Sequence, residues 1–320
     1  MEIINTHTGK IFVDRENGME FLTVGDYGKA NNIKANFLGL TKEIYGVQHN
    51  AVDLSEKWVA TISTQRGCSM RCRFCDCPTY GFHGNLSRTE LGVEISTMLE
   101  YFSHDVTHTK RFNVHFARMG EPTFNPDVIG FTVFDLRKLV SSFIVADTIH
   151  PVVSTMLPKT NGNLFNFLCR WCAVKNSEYA GEAGLQFSIN STDDNQREWQ
   201  MGGMSLSLRD IAAIAEKLPP PVGRKYTLNF AVTKDTILDT KVLSSMFDRA
   251  KWIVKITPIH ETHAASANSF DIGNTYTDYD VYRRFETPLL EQGWDVIVFI
   301  PSKEEDSDRI TCGNALISGQ

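Results

Sequence analysis

Residues 58–75 read WVATISTQRGCSMRCRFC, and this stretch decides the fold. It begins with an apolar, β-branched run that is typical of a strand. Three cysteines follow directly, at Cys68, Cys72 and Cys75, separated by three and then two residues. A short loop after a strand therefore carries three thiols, and the rest of the sequence is interpreted outward from this loop.

The cysteine spacing favours an iron–sulfur cluster, because such clusters are held by thiolates. Three thiolates on one loop can bind three irons of a cubane and leave the fourth iron open to a substrate. A zinc knuckle and buried free thiols are the alternatives. Zinc sites usually add a second, distant ligand pair, and the single residue between Cys75 and Cys77 is awkward for that geometry. We therefore assign Cys68, Cys72 and Cys75 as ligands of a [4Fe–4S] cluster.

The number of cysteines and the start of the chain together indicate a reducing compartment. The chain has 320 residues and seven cysteines, and its beginning shows no export signal. Metal binding or catalysis is then favoured over disulfides, and we expect a cytoplasmic protein. Cys169 and Cys172 share one apolar helix face with Phe165 and Leu168, which favours core packing for both thiols.

Composition and charge fit an ordinary globular protein, with 42% hydrophobic residues and a formal net charge of −6. The apolar run at 294–300 is too short to span a bilayer, so no membrane association is expected. A net negative charge argues against sequence-independent nucleic-acid binding. Four arginines lie close to the cysteines in the sequence, and they are Arg66, Arg71, Arg73 and Arg88. They indicate either a local nucleic-acid-binding patch or charges that are simply solvated.

Apolar runs alternate with helical patterns along most of the chain. The predicted strands are Trp58–Thr64, Arg111–Ala117, Pro151–Thr155, Leu185–Asn190, Tyr226–Val232, Trp252–Thr257 and Trp294–Ile300. The predicted helices begin at Ser87 (a capping box with Glu90) and after Asn125-Pro126, and cover Leu164–Lys175, Ser207–Leu218, Leu238–Arg249 and Tyr279–Gln292. This rhythm predicts an α/β protein with a partial (β/α)6 barrel over residues 51–320, after a small β-rich extension over residues 1–50.

Polar residues follow the predicted strands at the edge where β/α barrels carry their sites. Candidates are Gly120-Glu121, Ser154, Ser188-Ile189-Asn190, His260 and Cys312. Each alone has an ordinary explanation, since strand ends are usually polar. Their shared position favours a common functional site.

Three segments together resemble the RlmN/Cfr family of radical S-adenosylmethionine (SAM) enzymes, which methylate an amidine carbon of an adenosine in large-subunit ribosomal RNA. They are residues 64–86 around the cluster cysteines, residues 119–125 (MGEPTFN) and Cys312-Gly313. The resemblance runs from about Trp58 to Leu316.

The resemblance implies a SAM molecule on the open iron, contacted by Gly120, Glu121, Ser154, Ser188, Ile189, Asn190 and His260. In the family, one SAM methylates a cysteine that matches Cys312, and reductive cleavage of another yields the 5′-deoxyadenosyl radical. That radical takes a hydrogen from the S-methyl group, and the resulting carbon radical adds to the adenine ring. RNA, ribosomal or transfer, is the expected substrate, and flavodoxin or ferredoxin the expected electron donor.

The chain departs from the family pattern in several places. The family's second cysteine, which resolves the protein–RNA adduct, is Thr61 here, and Cys77 is the nearest substitute thiol. Asn190 replaces a histidine and His260 an asparagine. The family's N-terminal RNA-binding domain is absent from this sequence. Its glutamate base has no clear counterpart, with Glu43 and Glu56 as candidates.

We therefore expect a radical SAM enzyme that transfers a methyl group to RNA through Cys312. The alternatives are a different radical SAM reaction on a substrate other than ribosomal RNA, and a catalytically altered RNA-binding homologue.

Overall fold

The computed structural model of the chain describes residues 1–25, 32–43 and 53–319. The strands are β1 (Glu2–Asn5), β2 (Lys10–Asp14), β3 (Met19–Gly25), β4 (Ile33–Lys34), β5 (Trp58–Ile62), β6 (Gln65–Gly67), β7 (Phe82–Asn85), β8 (His108–Phe116), β9 (Val145–Thr155), β10 (Gly184–Ser188), β11 (Tyr226–Val232), β12 (Trp252–Pro258) and β13 (Val296–Phe299). All seven strands predicted from Trp58 onward are present, with ends that differ by a few residues.

The α-helices are α1 (Arg88–Tyr101), α2 (Asp127–Phe134), α3 (Leu136–Ser141), α4 (Leu164–Ala173), α5 (Asp194–Gln200), α6 (Leu208–Lys217), α7 (Thr240–Met246), α8 (His263–Ala267), α9 (Asp280–Glu291) and α10 (Lys303–Ser307). Short 3-10 helices cover Asn36–Leu38, Cys77–Tyr80 and Pro122–Phe124, and a π-helical turn covers Val174–Glu178. None of the helices in these described ranges is long and apolar enough to cross a membrane.

One large sheet organises the described residues, in the strand order β1-β2-β3-β5-β8-β9-β10-β11-β12-β13-β4. Its middle, from β5 to β13, is a run of parallel pairs. Parallel neighbours require crossover connections, and the helices between the strands supply them. The predicted α/β class with a partial barrel is confirmed.

The N-terminal strands extend this sheet at one edge. β1, β2 and β3 pair antiparallel, and β3 pairs antiparallel with β5. The β-rich character predicted for the first fifty residues is therefore seen in the described part. The domain boundary predicted near residue 50 lies outside the described residues, so the division into two domains stays a prediction.

Strand alternation determines which side chains reach the core. In β12, Val254 and Ile256 are fully buried in the main hydrophobic cluster beneath the helices, whereas Lys255 between them points to the other face of the sheet. In β8, Val114 and Phe116 flank His115 in the same way. The inner face of the parallel strands is therefore polar, and the outer face is the hydrophobic core.

The predicted capping box opens α1. The Ser87 hydroxyl accepts a hydrogen bond from the Glu90 backbone N–H at 3.3 Å, and the Glu90 carboxylate accepts one from the Ser87 N–H at 2.8 Å. Because these bonds satisfy donors that a helix start leaves open, they fix the direction in which the chain leaves the cysteine loop.

Candidate active site

A cavity of about 190 Å³ lies at the carboxyl ends of the parallel strands. All predicted site residues except Ile189 line it, and they are Cys68, Cys72, Cys75, Gly120, Glu121, Ser154, Ser188, Asn190, His260 and Cys312. The structure thus brings together residues that are up to 244 positions apart, the separation of Cys68 and Cys312 (312 − 68).

The cysteine loop leaves β6 through Gly67, which has a φ of 73°. A β-carbon there would lie 1.7 Å from the Gly81 carbonyl oxygen, so only glycine fits. The same carbonyl accepts a hydrogen bond from the Cys68 N–H at 3.0 Å. The loop is therefore held against the β6–β7 hairpin at the first of its three cysteines.

Burial strongly affects the thiols of this loop. Desolvation, followed by the nearby Cys75, raises the pKa of Cys68 to about 12, and desolvation also raises the pKa of Cys72. The pKa of Cys75 is lowered, chiefly by a hydrogen bond from Cys77. Thiolates in such a setting need a nearby positive centre, and a bound metal cluster would provide one.

The three thiols of the cysteine loop have the chemistry that an iron–sulfur cluster requires. Within the described ranges, no group of histidine, cysteine, aspartate or glutamate side chains converges to hold one ion. Cys68, Cys72 and Cys75 nevertheless line the same cavity. A cubane binds each thiolate through a different iron, so three thiols that line one cavity suit it.

Glu121 is a buried carboxylate with a fixed orientation. Its Oε1 accepts hydrogen bonds from the Thr123 N–H at 3.1 Å and the Thr123 hydroxyl at 2.7 Å, and its Oε2 accepts one from the Met156 N–H at 3.0 Å. Burial nonetheless raises the pKa of Glu121. A cationic ligand in the cavity would offset this desolvation.

The side chains of the three predicted residues at the end of β10 point in different directions. Ser188 and Asn190 line the cavity, whereas Ile189 is fully buried in the main hydrophobic cluster. Ile189 directly follows the last residue of β10, where neighbouring side chains point to opposite faces. Asn190 leaves the extended conformation, with a φ of 60°. The Asn190 Oδ1 accepts a hydrogen bond from the Ala231 N–H at 3.1 Å, which ties the ends of two strands together.

His260 is held by an acidic partner from the C-terminal segment. Its Nδ1 lies 3.0 Å from Asp306 Oδ1 and 3.2 Å from the Tyr276 hydroxyl. Burial alone would raise the pKa of Asp306, but the charge of His260 and hydrogen bonds from His260, Thr311 and Tyr276 lower it to about 2. The acidic stretch 304–306 thus folds close to the site, where Asp306 orients a histidine.

Cys312 lies on the wall of the cavity, and its Sγ is 3.9 Å from the Ala117 carbonyl oxygen. The side chain is exposed to the cavity but surrounded by protein, and this desolvation raises its pKa to about 11. The charges of Arg118 and Lys255 act in the opposite direction. The thiol can therefore be reached from the cavity and is protonated near neutral pH.

Sequence reasoning missed the residues that position Cys312. The Arg118 guanidinium donates to the carbonyls of Thr311 at 3.3 Å and Asn314 at 2.9 Å, and it pairs with Glu20 of β3. Glu20 also accepts hydrogen bonds from the backbone N–H groups of residues 316 and 317. The loop that carries Cys312 is therefore anchored at several points.

Asp76 provides a second anchor for the same loop. Its N–H donates to the Gly313 carbonyl at 2.9 Å, and its carboxylate pairs with Arg309 at 2.8 Å. The cysteine loop and the C-terminal loop are therefore fastened to each other directly, which fixes Cys312 relative to the cluster cysteines.

The other cysteines divide into two groups. Cys77 lines the cavity and approaches the Arg118 carbonyl at 3.4 Å. Cys172 is fully buried in the main core, and Cys169 packs partly buried against it, as expected from the helix face. Phe165, predicted on that face, is instead 42% exposed, because it lies at the edge of the apolar stripe.

Thr61 and the two candidate bases lie away from the cavity lining. Thr61 is on β5, paired with Leu22 and His115. Glu43 pairs with Arg283, and Glu56 pairs with Lys110 on the surface. The structure therefore provides no support for either glutamate as a base.

The curated proteins that are similar to this chain share the name RlmN. No family model matches the chain. The RlmN protein of Heliobacterium modesticaldum is 24% identical over 253 residues, which are 74% of this chain and 57% of the relative. That of Nautilia profundicola is 36% identical over 212 residues, which are 62% of this chain and 51% of the relative. That of Sulfurovum sp. is 33% identical over 208 residues, which are 64% of this chain and 54% of the relative. The last two are named as dual-specificity RNA methyltransferases. The chain spans little more than half of each relative.

A solved radical SAM methyltransferase from Sphaerobacter thermophilus covers 98% of this chain and 80% of its own, with a TM-score of 0.59 and 17% identity. The chain therefore shares the fold of that protein. The predicted resemblance to the RlmN/Cfr family is confirmed, because the chain is similar in sequence to RlmN proteins.

Proposed function

We propose that this protein is a radical SAM methyltransferase that transfers a methyl group to an adenine carbon of RNA through Cys312. One observation carries the proposal: the three loop cysteines, Glu121 and Cys312 line a single cavity. Cys68, Cys72 and Cys75 would hold a [4Fe–4S] cluster. With SAM bound, this cluster would supply reductive cleavage chemistry after reduction by an electron donor such as flavodoxin or ferredoxin.

The polar cavity residues would orient SAM. Glu121 offers a fixed carboxylate to a positively charged amino group, which makes a charge-assisted hydrogen bond. The Nδ1 of His260 is engaged by Asp306 and Tyr276, while its Nε2 has no partner among the described residues. Ser154, Ser188 and Asn190 line the same cavity. For Ile189, only its backbone is a candidate contact, since its side chain lies in the core.

Cys312 would carry the methyl group, and its anchored loop would present it to the substrate. A thiol that is reachable from the cavity and held by Arg118 and Asp76 suits this role. The cluster cysteines and Cys312 must stay reduced for this role, and the cytoplasm is the compartment that keeps thiols reduced. RNA as the substrate rests on the relatives, of which this chain spans only part.

Thr61 favours a second candidate function. A hydroxyl cannot form the disulfide that would release an RNA adduct from Cys312, and Thr61 is not part of the cavity lining. A radical SAM reaction on another substrate, in which Cys312 carries no methyl group, would not need that thiol.

Replacing Glu121 with alanine tests the proposed SAM site. We expect SAM to bind at least about tenfold more weakly, because one charge-assisted hydrogen bond is lost, while iron content stays unchanged. Isothermal titration of the reconstituted protein with SAM would measure the affinity. Glu121→Gln, which keeps the shape and removes the charge, should show a similar loss. An unchanged dissociation constant in both variants would remove Glu121 from the site.

A further inference from the structure

The inner face of the sheet below the cavity carries a group of basic side chains. Lys255 on β12 is in register with Asn229, which lines the cavity. His115 on β8 is in register with Thr61 and Val152. Arg224 lies just before the start of β11. These three residues, called the basic column below, run from the amino-terminal edge of the strands toward the cavity.

The basic column collects positive charge in a protein whose formal net charge is −6. Burial and, after it, the charge of Arg224 lower the pKa of Lys255 to about 8. Burial also lowers the pKa of His115 to about 3, with Lys255 the largest charge acting on it. At neutral pH, Lys255 and Arg224 are therefore cations, and His115 is a neutral imidazole.

These three side chains are partly buried, and they lack the partners that cations in such a position usually have. Within the described part of the chain, the Lys255 Nζ, the Arg224 guanidinium and the His115 ring make no hydrogen bond or ion pair, and Lys255 only lies 5.1 Å from the centre of the Phe299 ring. The buried Lys175, by contrast, donates to the carbonyls of Gly181 and Val222. Unpaired, desolvated cations cost stability, and an anionic ligand would offset that cost.

The basic column leads to Cys312. The charge of Lys255 lowers the pKa of Cys312, and a Cys312 thiolate would raise the pKa of Lys255, so the two groups are electrostatic neighbours. A ligand with its anionic group at Lys255 and Arg224 would therefore extend toward the proposed methyl carrier. Guanidinium and ammonium groups together suit a phosphate, which offers several acceptor oxygens and more than one negative charge.

We propose that the basic column binds a phosphate group of the substrate, with Lys255 and Arg224 as its cationic contacts and His115 as a neutral donor. This inference rests on the proposed function and specifies its substrate as a phosphate-bearing adenine nucleotide. The phosphate can belong to an RNA backbone or to a free mononucleotide.

Titration of the full chain, reconstituted with its cluster, tests the proposal with three probes: adenosine 5′-monophosphate, adenosine, and an adenosine-containing RNA oligonucleotide without terminal phosphates. We expect at least one phosphate-bearing probe to bind at least about tenfold more tightly than adenosine. Lys255→Gln and Arg224→Gln should each remove that advantage, whereas Lys241→Gln on the outer helix α7 should not. If these two substitutions weaken binding of the mononucleotide, the site takes the phosphate of a free nucleotide. If they weaken binding of the RNA alone, the site takes a phosphate of the RNA backbone. Equal affinity for all three probes would overturn the proposal.

Two controls separate binding from folding and from the proposed function. Lys255→Gln removes a partly buried charge that has no ion-pair partner among the described residues, so its Tm should equal or exceed that of the parent protein. In the parent, binding of inorganic phosphate should shift the imidazole resonance of His115, assigned with His115→Gln, and an unmoved resonance would contradict the proposal. These measurements need no turnover. If the proposed methyl transfer were wrong but the phosphate site correct, Cys312 would be unmodified while the protein still bound phosphate.

Discussion

Replacing Cys72 with serine should abolish iron binding. The Cys72 thiol lies inside the cavity, with its sulfur 3.3 Å from the Met156 sulfur, between the other two proposed ligands in sequence. A serine hydroxyl has a far higher pKa than a thiol and is a poor ligand for iron in such clusters. Reconstituted parent protein should contain about four irons and four sulfides, measured by chemical analysis and visible absorbance. Cys68→Ser and Cys75→Ser should behave in the same way.

The chain contains matched controls for this experiment. Cys77 lines the same cavity two residues beyond Cys75, so Cys77→Ser removes a neighbouring thiol without removing a proposed ligand. Cys169→Ser and Cys172→Ser remove thiols on a core-packed helix. All three variants should keep their iron. If Cys169→Ser lost iron as completely as Cys72→Ser, the assignment of ligands would be wrong.

Replacing Arg118 with methionine should destabilise the fold and release the Cys312 loop. Arg118 and Glu20 form an ion pair in which both side chains are almost fully buried. Removing one partner leaves an uncompensated buried charge, which costs about 3–5 kcal/mol of unfolding free energy. The backbone of residues 309–314 also loses its hydrogen bonds to the guanidinium. Urea unfolding would measure the stability, and the alkylation rate of Cys312 would measure the release of the loop.

Two further variants make this prediction specific. Arg88→Met breaks an exposed, solvent-screened ion pair with Asp135, so its effect on stability should be small. The double variant Arg118→Met/Glu20→Met removes both charges and should recover much of the lost stability, while Cys312 remains more reactive than in the parent. A single Arg118→Met variant as stable as Arg88→Met would show that the buried pair does not hold the loop.

The sequence was most informative where local patterns decide the structure. The β-branched run at 58–62, the Ser87 capping box and the cysteine spacing each depend on residues close in the chain, and the structure shows the strand and the helix they predict. The alternation of strands and helices was sufficient for the fold class. The same alternation predicted that the residues at the strand ends meet at one edge of the sheet, because the carboxyl ends of parallel strands lie at the same edge.

Long-range pairing and side-chain direction were harder to predict. The Glu20–Arg118 pair spans 98 positions, and nothing local to either residue indicates the other. Ile189 was grouped with its neighbours, although strand periodicity turns it into the core. The same periodicity does contain a signal for Lys255, since a lysine between two buried apolar residues of a strand must face the other side.

The state of Cys312 in protein isolated from cells tests the central claim most directly. Tandem mass spectrometry of the peptide that contains Cys312 would detect an S-methyl group or a covalent RNA adduct. If methyl transfer runs through this residue, a fraction of the peptide should carry one of these modifications, and Cys72→Ser protein should carry neither. An unmodified Cys312 in protein that binds a full cluster and still cleaves SAM would contradict the account and favour a different radical SAM reaction.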